Sequence, residues 1–139
     1  MTRAPTNADL DSGPLVLERR AIALVGGRPI DSLGGDHGID GVIEFPTDDP
    51  ARGGRALVSI KTGGPTFPCT IRDLEGAAVK QQAQLAVLVT EGEPCCEVRD
   101  AAADTGFYRW PIDGTTYPRV QVVPLDDLLA GRTPELPAT

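Results

Sequence analysis

Apolar residues in the first part of the chain recur at helical spacing. Leu15, Glu18, Ile22 and Val25 lie on one stripe, with a single charged member, and Leu17, Ala21 and Leu24 form a second row beside it. Pro14 suits the first turn of such a helix and the pair Gly26-Gly27 ends it. A short strand is predicted over Arg28–Ser32, and a glycine-rich turn, LGGDHG, then leads into a strand at about 39–45. PTDDPARGGR (46–55) reads as a loop and ALVSIK (56–61) as the returning strand, an antiparallel hairpin broken by TGGP.

Downstream the period changes twice more. IRDLEGAAVKQQAQ (71–84) is predicted helical, with Ile71, Leu74, Ala77 and Ala78 on its inner side. LAVLVT (85–90) is an unbroken apolar run, the signature of a strand covered on both faces. PCCEVRDAAADTG (94–106) reads as a helix with Pro in its first turn and Gly at its end, followed by a strand at about 119–123 and a short helix over DDLLAG. Helices alternating with strands after an opening hairpin predict an α/β sandwich with a mixed sheet, antiparallel in the hairpin and parallel across the helical crossovers. The folded body is placed at 14–132, with a polar tail over 1–13 and a proline-containing tail over 133–139.

Length and composition narrow the class. One domain of ordinary size fits 139 residues, and 40% hydrophobic with 24% charged residues excludes a wholly disordered chain. No apolar run reaches the roughly 20 residues of a membrane helix, and MTRAPTNADLDSG lacks the apolar core of a signal peptide. Three cysteines do not make a disulfide framework, so a reduced, cytoplasmic protein is expected. Their spacing has no C-x-x-C unit, which argues against a zinc site built from Cys69, Cys95, Cys96 and His37; Cys95 and Cys96 read as helix residues with one of them buried. The net charge of −7 counts against strong autonomous binding to nucleic acid, although not against a local basic patch.

Strand alternation supplies the candidate chemistry. Asp40, Val42 and Glu44 share one face of the first hairpin strand; Leu57, Ser59 and Lys61 share one face of the second. If the two faces coincide, a carboxylate and an ammonium project side by side. That pair suits phosphodiester hydrolysis with a hard cation held through oxygen at Asp40 and with Lys61 orienting water or stabilising phosphoryl charge. Lysine is rare here, only Lys61 and Lys80 against 11 arginines, so a lysine ending a strand is not a matter of general usage. The plainer alternatives are an Asx turn at Asp40, a solvated strand end at Lys61 and a structural strand serine at Ser59. His37, the only histidine, sits after Asp36 in a glycine-rich loop and reads as a solvated loop side chain. TGGP lacks the phosphate-loop pattern; its glycines, Gly63 among them, instead let the backbone approach DNA or a neighbouring turn. Arg72 and Lys80 on the following helix are candidate phosphate contacts, and Phe107, Tyr108, Trp110 and Tyr117 are read as aromatics that pack a loop down.

GIDGVIEF, ALVSIKTGG and IRDLEG, in that order and spacing, resemble the core of the PD-(D/E)XK nucleases. The similarity is to the Mrr-like restriction endonuclease domain attached to site-specific DNA methyltransferases, and it extends from LVGGRP through LAVLVT and AADTGFY to YPRVQVVPLDDLLAGRTPELP. The resemblance implies a three-layer restriction-endonuclease-like sandwich with an αβββαβ core. It also implies Mg²⁺-dependent cleavage of DNA, with Mn²⁺ as a substitute, giving 5′-phosphate and 3′-hydroxyl ends. It places the metal-binding Asp at Asp40 and the catalytic Lys at Lys61, while the family's Glu or Gln two residues earlier is Ser59 here. A second carboxylate is then sought at Glu18, because the family often presents an acid from that helix, or at Glu44. The expected partners are DNA, a methyltransferase or recognition subunit, and a second copy, since cutting both strands takes two sites. Ser59 and the acidity also admit a second class: a catalytically weak or inactive nuclease fold serving as an interaction module.

Overall fold

The structure, a computed structural model, describes residues 14–29, 39–49, 51, 53–61 and 66–137. The amino-terminal tail and residues 30–32 of the first expected strand lie outside them. Helix α1 (Pro14–Leu24) turns at Gly26, whose φ of +83° is open to glycine, and enters the two-residue strand β1 (Arg28–Pro29). Strands β2 (Gly41–Phe45) and β3 (Gly54–Lys61) pair antiparallel with Val42 opposite Leu57. Helix α2 (Pro68–Lys80) crosses to β4 (Leu85–Thr90), and helix α3 (Cys96–Asp104) leads to a small hairpin, β5 (Phe107–Arg109) with β6 (Thr116–Pro118). The fold closes with β7 (Val120–Pro124) and helix α4 (Leu125–Leu129). The main sheet runs β1-β2-β3-β4-β7, antiparallel over β1–β3 and parallel over β3–β4–β7. This is the mixed α/β sandwich that the alternation of periods predicts.

Two apolar layers hold the sheet. On one face Ile43, Phe45, Ala56, Val58, Ile60 and Val87 pack against Ala21 and Ile22 of α1, Val25 just after it, and Leu125 and Leu128 of α4. On the other, Val42, Leu57, Ala86 and Leu88 pack against Ile71, Leu74, Ala77 and Ala78 of α2 and Val98 and Ala102 of α3. All six residues of β4 are buried, as expected of a strand with a helix on either side. The inner side of α2 is the one its periodicity predicts.

Several boundaries depart from the sequence reading for local reasons. Strand β3 begins at Gly54, inside the expected 46–55 loop, because Gly54 pairs with Phe45 and the Phe45 ring fills the space where a Cβ would stand. Helix α2 starts at Pro68, whose fixed φ fits a first turn, rather than at 71. It stops at Lys80 rather than 84, because Gln82 turns left-handed (φ 59°) and the Gln84 side chain accepts the Arg55 N–H at 2.8 Å. The aromatic stretch expected as a packed loop is a paired hairpin. Tyr108 stands opposite Tyr117, Trp110 donates its indole N–H to the Pro46 carbonyl at 2.7 Å, and only Phe107 faces away. The turn between its strands is fastened by Asp113, whose carboxyl is held below its ordinary range by the Thr115 N–H. Neither Cys95 nor Cys96 is buried: they occupy the cap and first position of α3, and Val98 and Ala102 take its inward places. At the carboxy end, the Gln121 amide both donates to and accepts from the main chain of Glu135 (2.6 and 2.8 Å), and Leu136 packs on the core. These residues screen the β7 edge of the sheet, an edge that otherwise invites pairing with another chain.

Gly41 opens β2 at the point where three elements crowd. A Cβ there would stand 2.9 Å from the Arg28 carbonyl oxygen and 3.0 Å from Ile22 Cγ2. Gly41→Ala should therefore force α1 and β1 away from the sheet and cost about 1–3 kcal/mol, read as a lower urea midpoint with an unchanged m-value.

Candidate active site

The register settles which hairpin faces coincide. Val42 is opposite Leu57, and Glu44 is opposite Arg55. Val42 and Glu44 thus belong to the same side of the hairpin as Leu57, Ser59 and Lys61, the side covered by α2 and α3; the paired register begins at Gly41, one residue after Asp40.

Asp40 precedes β2 and is tied to β3 twice. Its N–H donates to the Val58 carbonyl at 2.8 Å, and its Oδ2 accepts the Ile60 N–H at 2.8 Å. The second bond replaces a rung of the ladder with a side chain. It sets the carboxylate at the Ser59–Ile60 peptide. Ser59 is buried at 3% exposure, while Lys61 is exposed at the strand end. Lys61 is paired with Thr90, and its carbonyl accepts the Glu91 N–H at 3.2 Å, so the last turn of β4 braces the lysine backbone.

Above Ser59 and Lys61, α2 closes a small pocket of ≈ 70 Å³ lined by Ser59, Lys61, Thr70, Asp73 and Leu74. Thr70, Asp73 and Leu74 fall at i, i+3 and i+4, one flank of the helix. Asp73 is the carboxylate that sequence reasoning passed over. Its signal was present: it neighbours the buried Leu74, on the helix that must cover the lysine strand. Nothing in the sequence, however, says which flank of α2 overlies Ser59. Asp73 also borders a wider hollow of ≈ 490 Å³ that follows α2 past Arg72, Gly76, Ala77 and Lys80. Arg72 and Lys80 are both exposed, eight residues or about 12 Å apart along the helix.

Other expected residues are not gathered here. Glu44 is ion-paired with Arg28 at 3.3 Å and stands four strand residues from Asp40, about 13 Å away, at the remote end of β2. Glu18 belongs to α1, which packs on the opposite face of the sheet through Ala21 and Ile22; its side chain lies outside the described residues. Gly63 and His37 also lie outside them. Among the described residues no three or more His, Cys, Asp or Glu side chains are grouped to hold a metal ion. Asp73 and the hydroxyl of Ser59 line the pocket, and Asp40 meets the same strand at the Ile60 N–H. Mg²⁺ is commonly held by only one or two protein carboxylates, with water and phosphate oxygens in its remaining positions, so carboxylate and hydroxyl donors of this kind suit its chemistry.

No family model matches the chain, and no curated protein matches it. Among solved structures, the MspJI restriction endonuclease in complex with a 27-mer oligonucleotide matches with a TM-score of 0.50 and 16% identity. The match covers 91% of this chain and 29% of that one, so the chain spans under a third of the restriction enzyme's length. At this identity the likeness shows the architecture: a mixed sheet between helical layers, arranged as a restriction-endonuclease-like α/β fold.

Proposed function

We propose that the protein is a metal-dependent deoxyribonuclease of the PD-(D/E)XK type, with Asp40, Ser59, Lys61 and Asp73 as its working residues. The observation that carries this reading is the Asp40 carboxylate seated on the Ile60 N–H of β3, the strand whose residues Ser59 and Lys61 on either side of Ile60 line a pocket with Asp73. Asp40 and Asp73 would hold Mg²⁺ or Mn²⁺, which when bound polarises the scissile phosphate and lowers the pKa of a coordinated water. Lys61 brings a positive charge to the phosphoryl oxygens as negative charge builds on them, and its ammonium hydrogens orient the attacking water. Ser59, short and buried, supplies a hydroxyl where the family places a carboxylate or amide. The negative charge missing at that position is supplied instead from α2 by Asp73. Arg72 and Lys80 extend the site along the helix as phosphate contacts that position the backbone without reading sequence. Cleavage of both strands of a duplex would require a second copy or a partner subunit.

One observation favours a second reading. With a serine at position 59 and no larger acidic group among the described residues, the same fold would serve as an interaction module with little activity of its own.

Plasmid cleavage in Mg²⁺ or Mn²⁺ separates the two. Asp40→Asn and Lys61→Ala are each expected to lose at least about a hundredfold in rate, chelation with EDTA should abolish cleavage, and Asp73→Asn should raise the metal concentration required. Equal cleavage by wild type and Lys61→Ala would mean a contaminating nuclease and would leave the interaction module as the better account. Phosphate contacts have their own signature in salt. Arg72→Ala and Lys80→Ala should each weaken oligonucleotide binding at every sequence and flatten the plot of log K against log salt by about one unit.

A further inference from the structure

Two aromatic side chains are exposed among the described residues, Phe67 at 57% and Phe107 at 64%. Phe107 lies on the small hairpin beyond α3, whereas Phe67 stands directly before α2, where that helix roofs the pocket. Its carbonyl accepts the Thr70 N–H at 2.9 Å, and Thr70 lines the pocket together with Ser59, Lys61 and Asp73. Phe67 is thus one helical turn from Thr70, which shares the pocket with Lys61.

Local structure alone gives no reason for a phenylalanine here. Phe67 occupies the N-cap of α2 with extended backbone (φ −128°, ψ 159°) and makes no side-chain cap bond. Ser, Thr, Asp or Asn at such a position would bond a free helix N–H, an advantage of about 1 kcal/mol. Its ring is largely in water rather than in the core below. Pro68 follows and holds the preceding residue extended, so the ring is carried on a constrained backbone rather than a loose one. A residue that breaks the capping preference and also leaves an aromatic ring in solvent, beside a candidate active site, is the kind of local inconsistency that accompanies function.

We propose that Phe67 is a stacking platform for a nucleobase next to the scissile phosphate, and that the site therefore favours DNA in which that base is already unpaired. This rests on the nuclease reading above and names its substrate class. A ring exposed beside a phosphate-binding pocket presents a π-face that any base can cover, so the contact is tolerant of sequence. In an intact duplex both faces of the base are already stacked, and freeing one costs about as much as the phenyl contact returns. In a single strand, a mismatch or a frayed end that cost is largely absent, and the contact appears as affinity.

Fluorescence anisotropy with a labelled oligonucleotide, single-stranded and as its perfect duplex, tests this, using the full chain in the Lys61→Ala background so that nothing is cut. The parent protein should prefer the single strand by about tenfold. Phe67→Ala should remove that preference while leaving the salt slope unchanged, because no phosphate contact is lost. Phe67→Trp should keep the preference, and its indole fluorescence should be quenched on binding; the only other tryptophan, Trp110, is buried. A thermal melt of each variant checks that the fold persists. A parent protein that binds the oligonucleotides while Phe67→Ala retains the single-strand preference overturns the stacking role and leaves the nuclease reading intact. Loss of affinity in Phe67→Ala accompanied by a lower melting temperature, with no quenching in Phe67→Trp, also overturns it and makes the residue structural. A parent protein with no affinity for either oligonucleotide removes DNA as substrate, and the proposal falls with it.

Discussion

The candidate site depends on one residue being bonded to its neighbour strand through both its main chain and its side chain. Asp40 gives its N–H to Val58 and takes the N–H of Ile60 on its carboxylate. A buried strand N–H without a partner would cost about 1–3 kcal/mol, and this carboxylate satisfies it. The double role has a geometric consequence. The carboxylate cannot swing freely with its rotamer: it is held at a fixed height along β3, level with the peptide that joins Ser59 to Ile60. Gly41 makes this possible from below. Having no Cβ, it lets Ile22 and the Arg28 carbonyl close against the first residue of β2, which fixes the path of the chain one residue before the strand begins. Packing around Gly41 thus fixes the backbone that carries Asp40.

How much of this was legible in the sequence depends on the range of the interactions concerned. The helical rows, the apolar run of β4 and the face shared by Leu57, Ser59 and Lys61 are set by local periodicity, and the structure has them in those places. The hairpin of β5 and β6 was not legible, because strands of three residues separated by a turn carry too few alternations to tell from a loop; it is held by contacts distant in sequence, Trp110 to Pro46 and Tyr108 to Phe45. The carboxy-terminal segment has the composition of a tail, yet it is ordered by one glutamine amide that imitates a strand rung. Asp73 was missed for a related reason. The residues of α2 that face the core follow from spacing, but which flank of the helix stands over Ser59 follows from the angle at which α2 crosses the sheet, and no single segment encodes that angle.

The exchange of acid between β3 and α2 changes what the site can tolerate. A glutamate at position 59 would stand on the sheet itself, fixed by the ladder, with its charge buried. Ser59 is 3% exposed, and an ionised group there would need a bound cation to offset its desolvation. Asp73 is exposed on the helix flank and keeps its solvation when the site holds no ion. On the proposed nuclease reading, a pocket with its second carboxylate on the helix would be less dependent on metal for its own stability, and its hold on a cation would be correspondingly weaker, because less electrostatic strain would be relieved on binding.

The acidity of the chain need not oppose contact with a polyanion once the charges are placed. Glu93, Glu97, Asp100 and Asp104 are exposed on α3 and the turn before it, and Asp126 on α4, whereas Lys61, Arg72 and Lys80 lie along the pocket and the outer flank of α2. Exposed charges lose most of their influence beyond about 8 Å at physiological salt. A strand lying along α2 would therefore meet Arg72 and Lys80 at contact distance, with Asp73 as the acid beside them and the carboxylates of α3 and α4 largely screened. A strand crossing α3 would meet carboxylates directly. On the proposed nuclease reading, the net charge would limit random association with nucleic acid, and the local arrangement would favour approach from the α2 side. Phe67 stands at the head of that helix, so the side of the molecule that would accept the backbone is also one on which, among the described residues, an exposed ring is placed to receive a base.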